Sequence, residues 1–153
     1  MVCAEVETGK GPFLVCSAYL TSIRSELARD MRDDKAKLAG MSLEEVFSET
    51  FRSKEAKELV DWLASLKYEN VVIGGDFNSL FLSKAARIMR NMLNDSCWLS
   101  PALFSNSHKI QGFHPPIKVD YIFLSKNLSY SGSKIIQESP GDHYPVVTKV
   151  HLI

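Results

Sequence analysis

The stretch "VVIGGDFNSL", Val71 to Leu80, constrains the fold most, because its four leading apolar or small residues sit between two segments of helical periodicity. Such a run reads as a buried strand, and helices on either side of it in the chain would cover the sheet it joins. On its N-terminal side, "MSLEEVFSETFRSKEAKELVDWLASL" places Ser42 three residues before Glu45, a capping-box pattern. Leu43, Val46, Phe47, Phe51, Leu59, Leu63 and Leu66 then recur as one apolar stripe, which predicts a long amphipathic helix. On its C-terminal side, "SKAARIMRNML" predicts a second helix capped by Ser83, with Ile88, Met89, Met92 and Leu93 turned inward.

The remaining segments fit the same layered plan. "VCAEV", a turn at "ETGKGP", and "FLVCSAYL" predict a hairpin. "TSIRSELARDMRDDKAKLAG" has nearly cancelling charges and reads as a solvated helix or loop. "SPALFSNSHKIQGFHPPIK" reads as a long loop, after which "VDYIFL", "SKIIQE" and "VVTKVHLI" predict three strands. There is no internal repeat and no low-complexity linker, so residues 1–153 are expected to form a single α/β domain of α+β layered character.

Bulk properties allow an enzyme without selecting one. With 18 basic and 18 acidic residues, no net charge draws the chain to nucleic acid or anionic lipid, so a nucleic-acid role requires a local basic patch. No apolar run approaches the ~18 residues of a membrane span, and "MVCAEVETGK" has no secretory pattern, which predicts a cytoplasmic location. Cys3, Cys16 and Cys97 are odd in number and lack CxxC spacing, and the expectation is reduced core thiols.

Four polar clusters stand at or near strand ends: Asp76 with Asn78, Asp120 within "KVDYIF", Asp142 with His143 in "SPGDHYPVV", and Tyr19 at the end of the hairpin. In an extended strand, residues two apart share a face, so Asp76 and Asn78 are expected to project together, away from Phe77. Asp120 lies among apolar residues and needs a partner; His143 is the natural one, and an Asp–His hydrogen bond favours the imidazolium. Each residue alone has an ordinary explanation. "GDFN" reads equally as a turn, Asp120 as a strand-edge residue, His143 as a surface histidine and Tyr19 as an amphipathic core residue. Trp62 and Trp98 are assigned to packing, and His108, His114 and His151 receive no catalytic role. The occurrence of all the motifs in one order, each attached to a strand, favours function.

"GDFNS", "VDYIFLS" and "GDHYPVV", in that order, resemble the C-terminal half of the endonuclease/exonuclease/phosphatase superfamily. "LVCSAYL" resembles the strand before the family's long helix and "RSKEAKELVDWL" resembles that helix, leaving a variable insertion from about Ser22 to Met41. The resemblance implies a DNase I-like β-sandwich flanked by helices, with only its C-terminal part present.

It also implies roles. Asp76 would orient or deprotonate the attacking water, Asn78 would contact the scissile phosphate, and Asp120 would pair with His143, which holds or protonates a phosphate oxygen. Tyr19 falls where the abasic-site endonucleases carry a tyrosine, and Gly141 replaces the serine of the last motif. Mg²⁺ or Mn²⁺ would be held by oxygen ligands from Asp142, Asp76 and Asn78. The family's N-terminal half supplies an asparagine and a metal-binding glutamate, and Glu5 is not placed to substitute for the latter. The implied activity is metal-dependent phosphodiester hydrolysis, nuclease-like, with a sphingomyelinase or inositol-phosphate phosphatase as alternatives. A non-catalytic remnant or interaction module is the alternative of another class. The implied partners are a phosphate-ester substrate, nucleic acid among the candidates, and an N-terminal half or a second copy to cover the exposed strands.

Overall fold

In the computed structural model the described residues are 1–22, 46–109 and 117–151. Strand β1 (Val2–Thr8) pairs antiparallel with β2 (Gly11–Tyr19), as the hairpin pattern predicts. Gly11 has φ +101°, a left-handed value that favours glycine at the turn. Thr8 Oγ1 closes the turn by donating to the Gly11 carbonyl at 2.7 Å.

The register places Cys3 opposite Cys16, and the two are joined by a disulfide. The expectation of reduced thiols is thereby corrected for this pair. Only Cys97 is a free cysteine, and it is buried. Apolar surroundings alone do not distinguish a core thiol from a cystine; the cross-strand register does.

Helix α1 (Phe51–Ser65) follows, then β3 (Asn70–Asp76), which lies parallel to β2, so that α1 belongs to the crossover between them. The helix starts later than the apolar stripe predicts. Thr50 caps it in a capping box with Ser53, and a bend at Ser48 separates it from Val46 and Phe47. Phe47 and Phe51 are 83% and 69% exposed, whereas Leu59 and Leu63 are buried as expected. The reason is local: Thr50 and Ser53 satisfy the first free N–H groups where the chain enters the core. Ser42, Leu43 and Glu45 lie outside the described residues, as do His114 and most of the expected insertion.

Helix α2 (Lys84–Met92) is capped by Ser83, whose hydroxyl accepts from Ala86 N, and packs against α1. Met89 and Leu93 are buried and Ile88 and Met92 pack against the core, as their spacing predicts. Strands β4 (Asn94–Asp95) and β5 (Asp120–Leu124) complete a five-stranded sheet of order β1-β2-β3-β5-β4. Strands β6 (Ser129–Ile135) and β7 (Val146–His151) form a separate antiparallel ribbon. Strand β6 thus begins earlier than "SKIIQE", and the long loop contains a short 3₁₀ turn at Pro101–Phe104.

One sheet face is covered by the helices. Leu14, Cys16, Ala18, Val71, Ile73 and Phe77 meet Ala56, Leu59, Leu63 and Met89 there. Phe77 stands edge-on to Tyr121 and Phe123, with centroids 5.6 and 5.1 Å away. On the opposite face Phe13, Leu124 and Leu128 pack with Val72, Ile122, Tyr130 and Val150, so the ribbon covers part of that face. Trp98 packs under the Arg90 guanidinium at 4.3 Å, while Trp62 is partly exposed.

A buried ion pair ties the 117–119 segment to β4. Lys118 Nζ lies 3.6 Å from Asp95 Oδ1 and 3.3 Å from the Tyr121 ring centroid, with both charged side chains out of solvent. Burial pulls the Lys118 ammonium below its usual range, against the opposing pull of Asp95.

Candidate active site

Strands β2 and β3 end, and β5 begins, at the same end of the sheet. Asp76 is in register with Tyr19 on one side and with Asp120 on the other, so pairing alone brings the Asp76 and Asp120 carboxylates together. His143 arrives from the segment before β7, fixed by an isolated bridge to His108. Its Nδ1 lies 2.9 Å from Asp120 Oδ2, and its Nε2 lies 4.0 Å from Asp76 Oδ2. The Asp120–His143 pair expected from sequence is therefore formed.

The strand ends before Asn78, which corrects the picture of two residues projecting from one extended strand. Asn78 has φ +47°. Its N–H donates to Asp76 Oδ1 at 2.8 Å and its Nδ2 donates to the Leu20 carbonyl at 2.9 Å. Asp76 and Asn78 thus form an Asx-type turn that clasps the end of β2, while Phe77 points into the core.

The electrostatics follow from burial and crowding. Burial pushes the Asp76 carboxyl above its usual range, the like charge of Asp120 adds to this, and the Asn78 N–H and His143 oppose it. For His143, burial alone would lower the imidazole; the Asp120 hydrogen bond and the charges of Asp120, Asp76 and Asp142 outweigh it and raise the group. The imidazolium therefore persists to higher pH than usual. An acid whose folded-state pKa is raised opposes folding once pH exceeds its unfolded value. Asp76→Asn is accordingly expected to raise Tm near neutral pH by about 2–4 °C, with the gain lost by about pH 3. Thermal denaturation at both pH values checks this, and a lower neutral-pH Tm in the variant would refute it.

A cleft of about 430 Å³ opens beside the pair, lined by Gly74, Gly75, Asp120, Ile122, His143 and Tyr144 among others. Tyr19 stands on the neighbouring strand end, 66% exposed, outside this lining. Asp142 is exposed and falls in a group with His108 and His143, whereas Asp76 falls in a group with Asp120 and His143. Asp142 and Asp76 thus fall in different groups among the described residues. Asp76 and Asp120 are hard oxygen donors on adjoining strands, and their mutual repulsion would be relieved by a cation, so they fit Mg²⁺ or Mn²⁺.

Ser107 is a supporting residue that the sequence did not reveal. Its hydroxyl accepts from Val119 N at 2.9 Å and Asp120 N at 3.0 Å. Its carbonyl accepts from Tyr144 N at 2.8 Å, so one residue holds the backbones that carry both Asp120 and His143.

No protein-family model matches the sequence, and no curated protein matches it. Solved structures do. An endonuclease/exonuclease/phosphatase family protein of Bacteroides thetaiotaomicron superposes with TM-score 0.59 at 16% identity, over 93% of this chain and 50% of its own. The human Nocturnin catalytic domain, solved with a bound sulfate anion, gives 0.58 at 16% identity, over 97% and 50%. A mannosyl-6-phosphatase of Bacteroides thetaiotaomicron gives 0.51 at 17% identity, over 92% and 51%. The chain has the endonuclease/exonuclease/phosphatase, DNase I-like fold, and it spans about half the length of these solved chains.

Proposed function

We propose that the chain is the C-terminal portion of a metal-dependent phosphoesterase that hydrolyses phosphodiesters in a nuclease-like manner. The observation that carries this reading is the meeting of Asp76, Asp120 and His143 at one sheet edge beside an open cleft. His143, held at Nδ1 by Asp120 and with its imidazole raised, presents Nε2 to a phosphate oxygen. Asp76, with a raised carboxyl, is suited to accept a proton from the attacking water. Asn78 orients Asp76 through its N–H, and its amide contacts the phosphate if Leu20 releases it. Mg²⁺ or Mn²⁺ would be held by Asp76 and Asp120, and when bound it supplies neutralisation of charge developing on the phosphate. Asp142 and Tyr19 would add further polar contacts to the substrate.

The Nocturnin domain, which shares this fold, was solved with a bound sulfate anion, in keeping with a phosphate-ester substrate here. Because the chain covers only half of such proteins, the complete site draws on a further half or a second copy. Nucleic acid is one candidate substrate; a phosphorylated sugar is another, as the mannosyl-6-phosphatase name illustrates. The Cys3–Cys16 disulfide favours an oxidising compartment over the cytoplasm. Among the described residues no helix is long and apolar enough to cross a membrane.

A second reading, an interaction module without catalysis, is favoured by exposed Val2, Val6, Val15 and Tyr19, which share the sheet face away from the helices. The test is Mg²⁺-dependent hydrolysis of bis-p-nitrophenyl phosphate by the purified chain. Activity abolished by Asp76→Ala is expected. Asp120→Asn and His143→Ala should each lower the rate about 10²–10⁴-fold and the double variant no further. Multiplicative losses would break the pairing, and a folded chain without activity would mean that a further half is needed to complete the site.

A further inference from the structure

His143 also belongs to a second cluster, with His108 and Asp142, whose three ligand atoms lie within 4.8 Å of one another. The sequence gives no reason to join them, since His108 lies in an irregular loop. The fold joins them through backbone pairing. His108 and His143 form a β-bridge, Lys109 N donates to the Asp142 carbonyl at 2.7 Å, and Tyr144 N donates to the Ser107 carbonyl at 2.8 Å. The two imidazole rings consequently stand 4.4 Å apart between centroids, tilted by 45°. Backbone pairing thus brings the three residues side by side.

The donor set differs in kind from the Asp76 and Asp120 carboxylates. Two imidazoles and one carboxylate suit Zn²⁺ and its neighbours in the transition series, whereas Mg²⁺ prefers oxygen alone. The hydrogen bond from His143 Nδ1 to Asp120 leaves Nε2 as the ligating atom and puts a carboxylate behind the imidazole. This carboxylate–histidine arrangement fixes the ring and raises the basicity of a metal ligand.

We propose that His108, Asp142 and His143 form a binding site for a transition-series dication, Zn²⁺ foremost, which shares His143 with the Asp76 and Asp120 group. Water or substrate completes the tetrahedral coordination of such an ion. A His143 Nε2 that ligates zinc has no proton or lone pair left for a phosphate oxygen. On the catalytic reading above, zinc at this site therefore inhibits the reaction that magnesium supports.

The test reads binding, so it stands apart from whether the chain is active. Co²⁺, the spectroscopic substitute for zinc, is titrated into the folded chain in excess Mg²⁺. Visible ligand-field bands should saturate at one equivalent, lack sulfur charge-transfer absorption because buried Cys97 takes no part, and disappear on adding Zn²⁺. His108→Gln and Asp142→Asn should each weaken Co²⁺ and Zn²⁺ binding by at least about tenfold, comparable with losses at other supported metal sites. Circular dichroism verifies that each variant is folded, and exposed Asp142 provides the variant least able to disturb the fold. No saturable binding, or unchanged binding in both site variants, would overturn the proposal.

Discussion

Gly75→Ala is expected to destabilise the protein by more than about 4 kcal/mol, the range reserved for severe steric or core defects. Gly75 has φ +148°, and a Cβ built there lies 1.9 Å from the Ala18 carbonyl oxygen and 2.9 Å from its carbon. Ala18 is the register partner of Gly75 in the parallel β2–β3 pair. The clash is with backbone, so relief requires the two strands to separate at the position next to Asp76. Gly74 provides the control: a Cβ there meets Tyr121 O at 3.6 Å and Ile122 Cγ1 at 3.7 Å, ordinary contacts. Urea titration should show Gly74→Ala within about 1 kcal/mol of the parent. Equal losses in the two variants would contradict this account of the β2–β3 approach.

The second large effect is expected at the buried ion pair. Asp95→Ala should destabilise by about 3–5 kcal/mol, because it strands the Lys118 ammonium in the core. It also removes the acceptor for the Cys97 N–H, which Asp95 Oδ1 receives at 2.9 Å. Asp95→Asn combined with Lys118→Met retains an acceptor, removes both charges and should recover most of the loss. The sign of the pH dependence provides a further check. A lysine whose folded-state pKa is lowered binds fewer protons when folded, so stability rises with pH between its folded and unfolded values. The defect of Asp95→Ala should therefore shrink as pH rises. An Asp95→Ala variant as stable as the double variant would show that the pair is not a buried charge couple.

Much of the site was legible because each motif ends or begins a strand. "GDFN", "VDYIF" and "GDHYP" place their acids where a sheet edge gathers them, and the Asp120–His143 pair followed from the difficulty of burying an acid alone. The two helices were legible from apolar spacing, but the start of α1 was not. Thr50 with Ser53 caps it next to the core, and the Ser42 and Glu45 pattern lies outside the described residues. The disulfide, the Lys118–Asp95 pair and the approach of His108 to His143 all join residues through register between distant segments. Local pattern carries no register between such segments, so these contacts were invisible until the strands were placed. Asn78 was misjudged for a related reason: period-two alternation holds only while the chain stays extended, and its backbone turns left-handed two residues past Asp76.

The Cys3–Cys16 link reaches beyond the native state. Its partners are separated by 13 positions in sequence, and closing a loop of this size removes about 3 kcal/mol of chain entropy from the unfolded ensemble. Under oxidising conditions the denatured chain keeps β1 tethered to β2, so refolding begins with a template already present. What the clasp does not shorten is the return of β3 across the α1 crossover to its parallel neighbour, a contact between segments far apart in the chain.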